Sequence, residues 1–179
     1  MIRLFVALSL PDAVADSLVL MQGGVPGARW STREQLHLTL RFIGEVDGSV
    51  AASICDVLAL IRAPRFALEL KGVGEFGGKR PRALWTGVRE DSAVQHLQRK
   101  IESALQRIGL PAEERKFAAH VTLASLRGAP RGRIITFLAA HALYSSMSFE
   151  VNTFILYSST LTPRGSIYRP EHAFPLAAA

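Results

Sequence analysis

His37-Leu38-Thr39-Leu40 and His120-Val121-Thr122-Leu123 are one phrase written twice, 83 positions apart. With 5 His and 22 Ser plus Thr in 179 residues, chance supplies about 0.6 His-x-[Ser/Thr] matches, so a single one would mean little. Two of them in matching apolar settings mean more. The same spacing extends outward from the motifs. It takes Phe66 in Arg65-Phe66-Ala67-Leu68 to Phe149 in Ser148-Phe149-Glu150-Val151, and Trp85 to Tyr168. The helix starts at Asp12 and Asp91 repeat at a looser spacing of 79. Each half reads as the His strand, a helix and two strands, which predicts two pseudo-symmetric halves facing one another.

The elements between these anchors follow from periodicity and breakers. Strands are expected at Leu4–Leu10, Leu36–Ile43, Phe66–Val73, Ala83–Val88, Ala118–Leu126, Ser148–Ser158 and Ser166–Phe174, with a short extended piece at Ala28–Trp30. Helices are expected from Asp12 to Gln22, from an Asp47 cap to Arg62, from an Asp91 cap to Ile108, and over Arg131–His141. Several strand pairs are joined too tightly for parallel crossovers. The class is therefore α+β with antiparallel sheet: a bilobal chain, 1–179, whose two halves each bring a sheet and flanking helices to a groove between them.

Strand geometry then says what the repeated phrase does. Residues i and i+2 share a face, about 7 Å apart. His37 and Thr39 project together while Leu38 and Leu40 pack into their own lobe, and His120 and Thr122 project likewise, with Val121 and Leu123 behind. Either histidine alone reads most simply as a strand cap or a core hydrogen-bonder. The pair, facing across a two-fold, puts two imidazoles and two hydroxyls in one groove. An imidazole titrates near pH 6.5, so one can accept a proton as the other gives one up. The hydroxyls can donate to oxygens that gather charge. That set suits displacement at phosphorus without a metal.

Composition agrees. Lys plus Arg exceed Asp plus Glu by 6, and 17 of the 21 cations are Arg, a side chain suited to planar contact with phosphates. Apolar residues, at 49%, are enough for a core and exclude disorder. The single cysteine, Cys55, excludes an internal disulfide and a zinc cluster, and it sits in an apolar helix as a buried thiol. The apolar run Leu4–Leu10 with Ala13-Val14-Ala15 imitates a short secretory leader, but Pro11-Asp12 opens a helix there. The reading is strand then helix, in a cytoplasmic chain with no membrane span.

Other motifs fail on context. Gly72-Val73-Gly74-Glu75-Phe76-Gly77 fits G-x-G-x-x-G but opens no helix, and Gly78-Lys79 lacks the rest of a P-loop. The basic loop Lys79-Arg80-Pro81-Arg82 is either an RNA contact or a solvated hairpin tip. Arg41 follows the first motif on the same strand face, within reach of a substrate phosphate. Phe42 is either a base-stacking surface or a core residue. Arg127, Arg131 and Arg133 border the second motif. His96, His141 and His172 have no companion pattern.

With these residues in place, the chain resembles the 2H phosphoesterase superfamily, and within it the RNA 2′,3′-cyclic phosphodiesterases, also called 2′-5′ RNA ligases. The resemblance runs over nearly the whole chain. It includes Arg3-Leu4-Phe5-Val6-Ala7, Trp30, Leu36 through Val46, Gly72-Val73-Gly74, Pro81-Arg82, Leu84-Trp85, His120 through Ala124, Leu156-Tyr157-Ser158-Ser159 and Phe174-Pro175-Leu176. It implies a bilobal fold with two antiparallel sheets around a water-filled groove. It implies hydrolysis of RNA 2′,3′-cyclic phosphate ends, such as those of tRNA halves, to 2′-phosphates, with weak reverse 2′-5′ ligation and no metal or other cofactor. Carried over, His37 and His120 are the acid–base pair, His120 acting on water and His37 on the 3′ oxygen. Thr39 and Thr122 bind phosphate, and Phe42 matches a base-stacking position. Two positions depart from the family pattern. Ala119 stands where proline is usual, and Ser125 where an arginine commonly holds the terminal nucleotide; Arg127 is the expected substitute. The substrate alternatives are a small cyclic nucleotide phosphate or a 2′-5′ oligonucleotide, and the non-enzymatic one is an RNA-binding module. A monomer is expected, since neither half shows a spare apolar face.

Overall fold

The computed structural model describes residues 1–178. The chain opens with β1 (Ile2–Ser9), α1 (Asp12–Leu20), β2 (Ala28–Trp30), a 3₁₀ turn over Arg33–Gln35 and β3 (His37–Val46). It continues through α2 (Gly48–Ala59), β4 (Phe66–Leu68), β5 (Leu70–Phe76), β6 (Ala83–Val88) and α3 (Ser92–Arg107). It ends with β7 (Val121–Leu126), α4 (Arg131–His141), β8 (Phe149–Val151), β9 (Thr153–Thr162) and β10 (Gly165–Pro175). Local chemistry explains several boundaries. Asp47 caps α2 by accepting the Val50 N–H at 2.9 Å. Asp91 precedes α3 but caps no backbone donor; its carboxylate instead accepts from the Gln95 side chain.

Among the described residues these strands pair antiparallel throughout, in the order β10-β9-β1-β3-β7-β6-β5, with β2 added to β7 and a separate β4–β8 ribbon. Exchanging β1 with β6, β3 with β7 and β5 with β9 returns the central six strands to the same order. The two-fold passes through two residue pairs, Leu38–Val121 and Ala67–Glu150, each made of residues 83 apart. This shifts the expected boundary of the repeat. Trp85 and Tyr168 suggested that β6 corresponds to β10. Instead β6 stands between β7 and β5 as β1 stands between β3 and β9, and β10 lies outside the symmetric set. The two lobes' sheets are also continuous, joined by the single pair Leu38–Val121.

Two expected strands are each broken in two. Phe66–Val73 bends at Glu69 and Ser148–Ser158 at Asn152, again 83 apart, so that β4 and β8 can leave the main sheet and pair with each other. The expected strand end at Val73 is passed, because β5 runs on to Phe76. At Gly77 (φ +114°) a Cβ would lie 2.1 Å from the Arg80 carbonyl oxygen, so the hairpin tip needs glycine. The apolar run near the N-terminus is a central strand, with Leu4 through Leu8 all buried. The core lies behind the sheet, where Leu38, Leu40, Val121 and Leu123 share one buried cluster with the apolar face of α3, formed by Val94, Leu97, Ile101 and Leu105. Among the described residues no helix is long and apolar enough to cross a membrane.

Candidate active site

The open face of the sheet holds a cleft of about 450 Å³ where the lobes join. His37 and Thr39 of β3 enter it from one side and Thr122 and Ser125 of β7 from the other. The Leu38–Val121 register sets His37 across from Thr122, and Thr39 across from His120, which immediately precedes β7. Leu38 and Val121 themselves are fully buried behind. The two motifs thus meet head to tail, imidazoles on one diagonal and hydroxyls on the other.

Both imidazoles are held alike. His37 Nδ1 is 2.7 Å from the Gln35 carbonyl oxygen and His120 Nδ1 is 2.6 Å from that of Ala118. A carbonyl only accepts, so each Nδ1 carries hydrogen and each Nε2 is left for chemistry. His37 Nε2 lies 2.9 Å from Thr39 Oγ1, which donates to it when the ring is neutral. Aromatic rings wall both histidines: Phe5 and Tyr168 at 4.9 and 5.2 Å from His37, Phe76 at 4.9 Å from His120. Burial holds the His37 pKa below its ordinary value. The Gln35 carbonyl opposes this, and the His120 ring adds a smaller push in the same direction.

The flanking residues fall less simply. Arg41 does not face the cleft. In the β1–β3 register Ala7 pairs with Thr39 but Val6 with Arg41, so Leu40 is an extra residue and the strand changes phase there. Arg41 is thereby sent behind the sheet, where it is 8% exposed. It pairs with Glu102 on α3 and donates to the carbonyls of Phe42 and Pro111. Phe42 returns to the cleft face beside Phe5, half-exposed under the Arg3 guanidinium 4.9 Å from its ring, away from the residues that line the cleft. Arg127 lies past the end of β7, exposed, its N–H bonded to the Gly27 carbonyl, and is also not a lining residue.

The cation that lines the cleft is Arg29, which the sequence reading passed over. It pairs directly opposite Ser125 in the β2–β7 register. Among the described residues it has no carboxylate partner. Gly165 gives it room, since a Cβ there would lie 2.7 Å from an Arg29 Nη atom. Only a three-residue strand marks it in the sequence, so no local pattern singled it out.

Two imidazoles each held through Nδ1, two hydroxyls and one guanidinium without a carboxylate partner make a set that can do acid–base work on an anion. The chain belongs to the LigT-like phosphoesterase family, whose model matches residues 8–85 and 88–168. It is 39% identical over 139 residues to an RNA 2′,3′-cyclic phosphodiesterase of Aeropyrum pernix, covering 76% of this chain and 79% of that one. It is 33% identical over 180 residues to the protein of that name from Archaeoglobus fulgidus, covering 96% and 99%. The crystal structure of E. coli LigT complexed with 3′-AMP matches with a TM-score of 0.78 at 27% identity, over 98% of each chain.

Proposed function

We propose that this protein hydrolyses the 2′,3′-cyclic phosphate at an RNA end to a 2′-phosphate, with His37 and His120 as the acid–base pair. The observation that supports the reading is the Leu38–Val121 pairing, which sets the two motifs side by side: His37, Thr39 and Thr122 line one cleft, and His120, outside that lining, lies opposite Thr39 in the register. Similar proteins named RNA 2′,3′-cyclic phosphodiesterase, and a similar structure with 3′-AMP bound, support the substrate class.

The phosphodiester anion sits against Arg29, Thr39 and Thr122. Its charge counteracts the burial that keeps His37 neutral in the free cleft, and so loads His37 with a proton. His37 Nε2 then carries hydrogen, and Thr39 Oγ1, no longer donating to the ring, is free to donate to a non-bridging oxygen. His120 Nε2 removes a proton from water as the water oxygen bonds to phosphorus. The P–O3′ bond breaks and His37 protonates the leaving 3′ oxygen. Proton exchange with solvent restores both rings. With an RNA 5′-hydroxyl in place of water as the nucleophile, the same displacement, with P–O3′ broken and the 3′ oxygen protonated, gives a 2′-5′ linkage.

The test is incubation of RNA ending in a 2′,3′-cyclic phosphate, in EDTA, with end-group analysis. The expected product is the 2′-phosphate, and His37→Ala and His120→Ala each lower kcat by about 10²–10⁴. Replacing the bridging 3′ oxygen by sulfur, a leaving atom that needs no proton, restores turnover to His37→Ala but not to His120→Ala. A 3′-phosphate product or loss of activity in chelator contradicts the mechanism. Rates on cyclic mononucleotides and 2′-5′ oligoadenylate rank the alternative substrates. RNA binding without turnover would leave only a binding module.

A further inference from the structure

A second concavity, of about 440 Å³, lies between the end of α2 and the flank of α3. Its walls are cationic: Arg62 beyond α2, and Arg99, Lys100 and Arg107 on α3, with His96 beside them. No lining residue is acidic. Among the described residues Arg99, Lys100 and Arg107 form no ion pair, and Arg62 donates only to the carbonyls of Ala59 and Ile61. The carboxylate that α3 does carry at this level, Glu102, is turned under the sheet to Arg41. Four permanent charges of one sign therefore share a hollow whose lining carries no counter-charge, an arrangement that costs the folded state.

The shape says what would neutralise them. The cations recur along one flank of α3, and from His96 to Arg107 they span about 16 Å of helix, at 1.5 Å per residue. That is a track for a chain of charges rather than a socket for one. Leu60, 72% exposed, gives the groove an apolar wall against which a ribose or base can rest. Three of the four permanent cations are arginine, which binds phosphate through a planar fork. The groove also lies behind the sheet. Arg41 reaches α3 from the face opposite His37 and Thr39, so the groove and the cleft open on different sides.

We propose that this groove is a second anion site, which grips the phosphodiester backbone of an RNA well away from its reacting end. The inference rests on the RNA reading of the cleft. It adds that the substrate is long enough to pass around the sheet, and that part of its affinity comes from contacts no mononucleotide can make.

The experiment uses the full chain and the double variant Arg99→Gln/Arg107→Gln, with Arg62→Gln as a second variant outside the helix in case the first is destabilised. Two substrates are compared: 2′,3′-cyclic AMP, and a 20-nucleotide RNA ending in a cyclic phosphate. The expected result is a KM for the long RNA raised at least five-fold, with cyclic AMP turnover unchanged. The slope of log affinity against log salt also falls by about 0.7 for each cation removed. Fluorescence anisotropy of a labelled 20-mer ending in a 3′-hydroxyl judges the groove even where neither substrate turns over, so the two readings fail separately. Equal behaviour of variant and wild type towards the long RNA overturns the proposal. So does wild-type binding of the 3′-hydroxyl 20-mer too weak to measure, or its displacement by polyglutamate at equal charge.

Discussion

Arg29 and Ser125 face each other across β2 and β7, and of the two only Arg29 brings a cation to the cleft. The resemblance to the family placed an arginine at position 125 and made Arg127 its substitute; the register makes Arg29 the better one. A charge-assisted hydrogen bond to an anion is worth about 1.5–3 kcal/mol, so Arg29→Ala should raise KM for a cyclic-phosphate RNA by about 10- to 100-fold and spare kcat. Adding Ser125→Arg to that variant should recover most of the loss, because the guanidinium then projects into the same cleft from the facing residue. Arg127→Ala should leave KM unchanged. Titrating the three variants with the same substrate checks all of this, and failure of the rescue would sever Arg29 from the phosphate. His37 gives a pH prediction. Its folded pKa is depressed, so between that value and the ordinary 6.5 the unfolded chain holds the proton and the folded one does not. Stability is therefore lost as pH falls through that window. His37→Gln should flatten this part of the profile, measured as Tm against pH.

Arg41 belongs to the scale of the element, because one bulge in β3 converts an expected substrate contact into a strut between sheet and helix. Burial alone would raise the Glu102 carboxyl. Donors from Gln106, the Glu113 N–H and Arg41 outweigh it and hold the pKa below its usual range. Removing Arg41 leaves that carboxylate enclosed without its cationic partner. Arg41→Ala should cost about 3 kcal/mol in denaturant unfolding while kcat of the folded enzyme stays within two-fold. A normal stability with a large loss of activity would restore Arg41 to the substrate. The same bulge marks how far the sequence could be read. The strands of the two motifs, β3 with His37 and β7 just after His120, were legible because each alternates polar and apolar residues and each recurs at one spacing. The bulge at Leu40 leaves no trace, since Leu40 and Arg41 look like the next two steps of that alternation. The breaks at Glu69 and Asn152 were equally silent, because β4 and β8 separate from their neighbours only to pair with each other, 83 positions apart. Arg29 was invisible for a related reason: its meaning lies in a register with residues about a hundred positions away.

At the scale of the molecule the two halves are exchanged rather than merely joined. β5 comes from the first half of the chain but pairs with β6, in the lobe that holds β7; β9 comes from the second half but pairs with β1, in the lobe that holds β3. Each lobe is thus closed by a strand from the other half, and the cleft lies along their shared pair, Leu38–Val121. A cut at the Gly78–Lys79 bond, in the hairpin tip between β5 and β6, tests whether this exchange holds the fold together. Fragment 1–78 would present β5 without β6 and β1 without β9, two open apolar edges and half a core. Fragment 79–179 would carry the reciprocal defects. Neither should show dispersed amide resonances or a cooperative melting transition alone. Mixed in equal amounts, they should refold together and recover hydrolysis of a cyclic-phosphate RNA, with a Tm that rises with concentration because folding has become bimolecular. If either fragment folds by itself, the strands exchanged between the lobes are not what makes each half depend on the other.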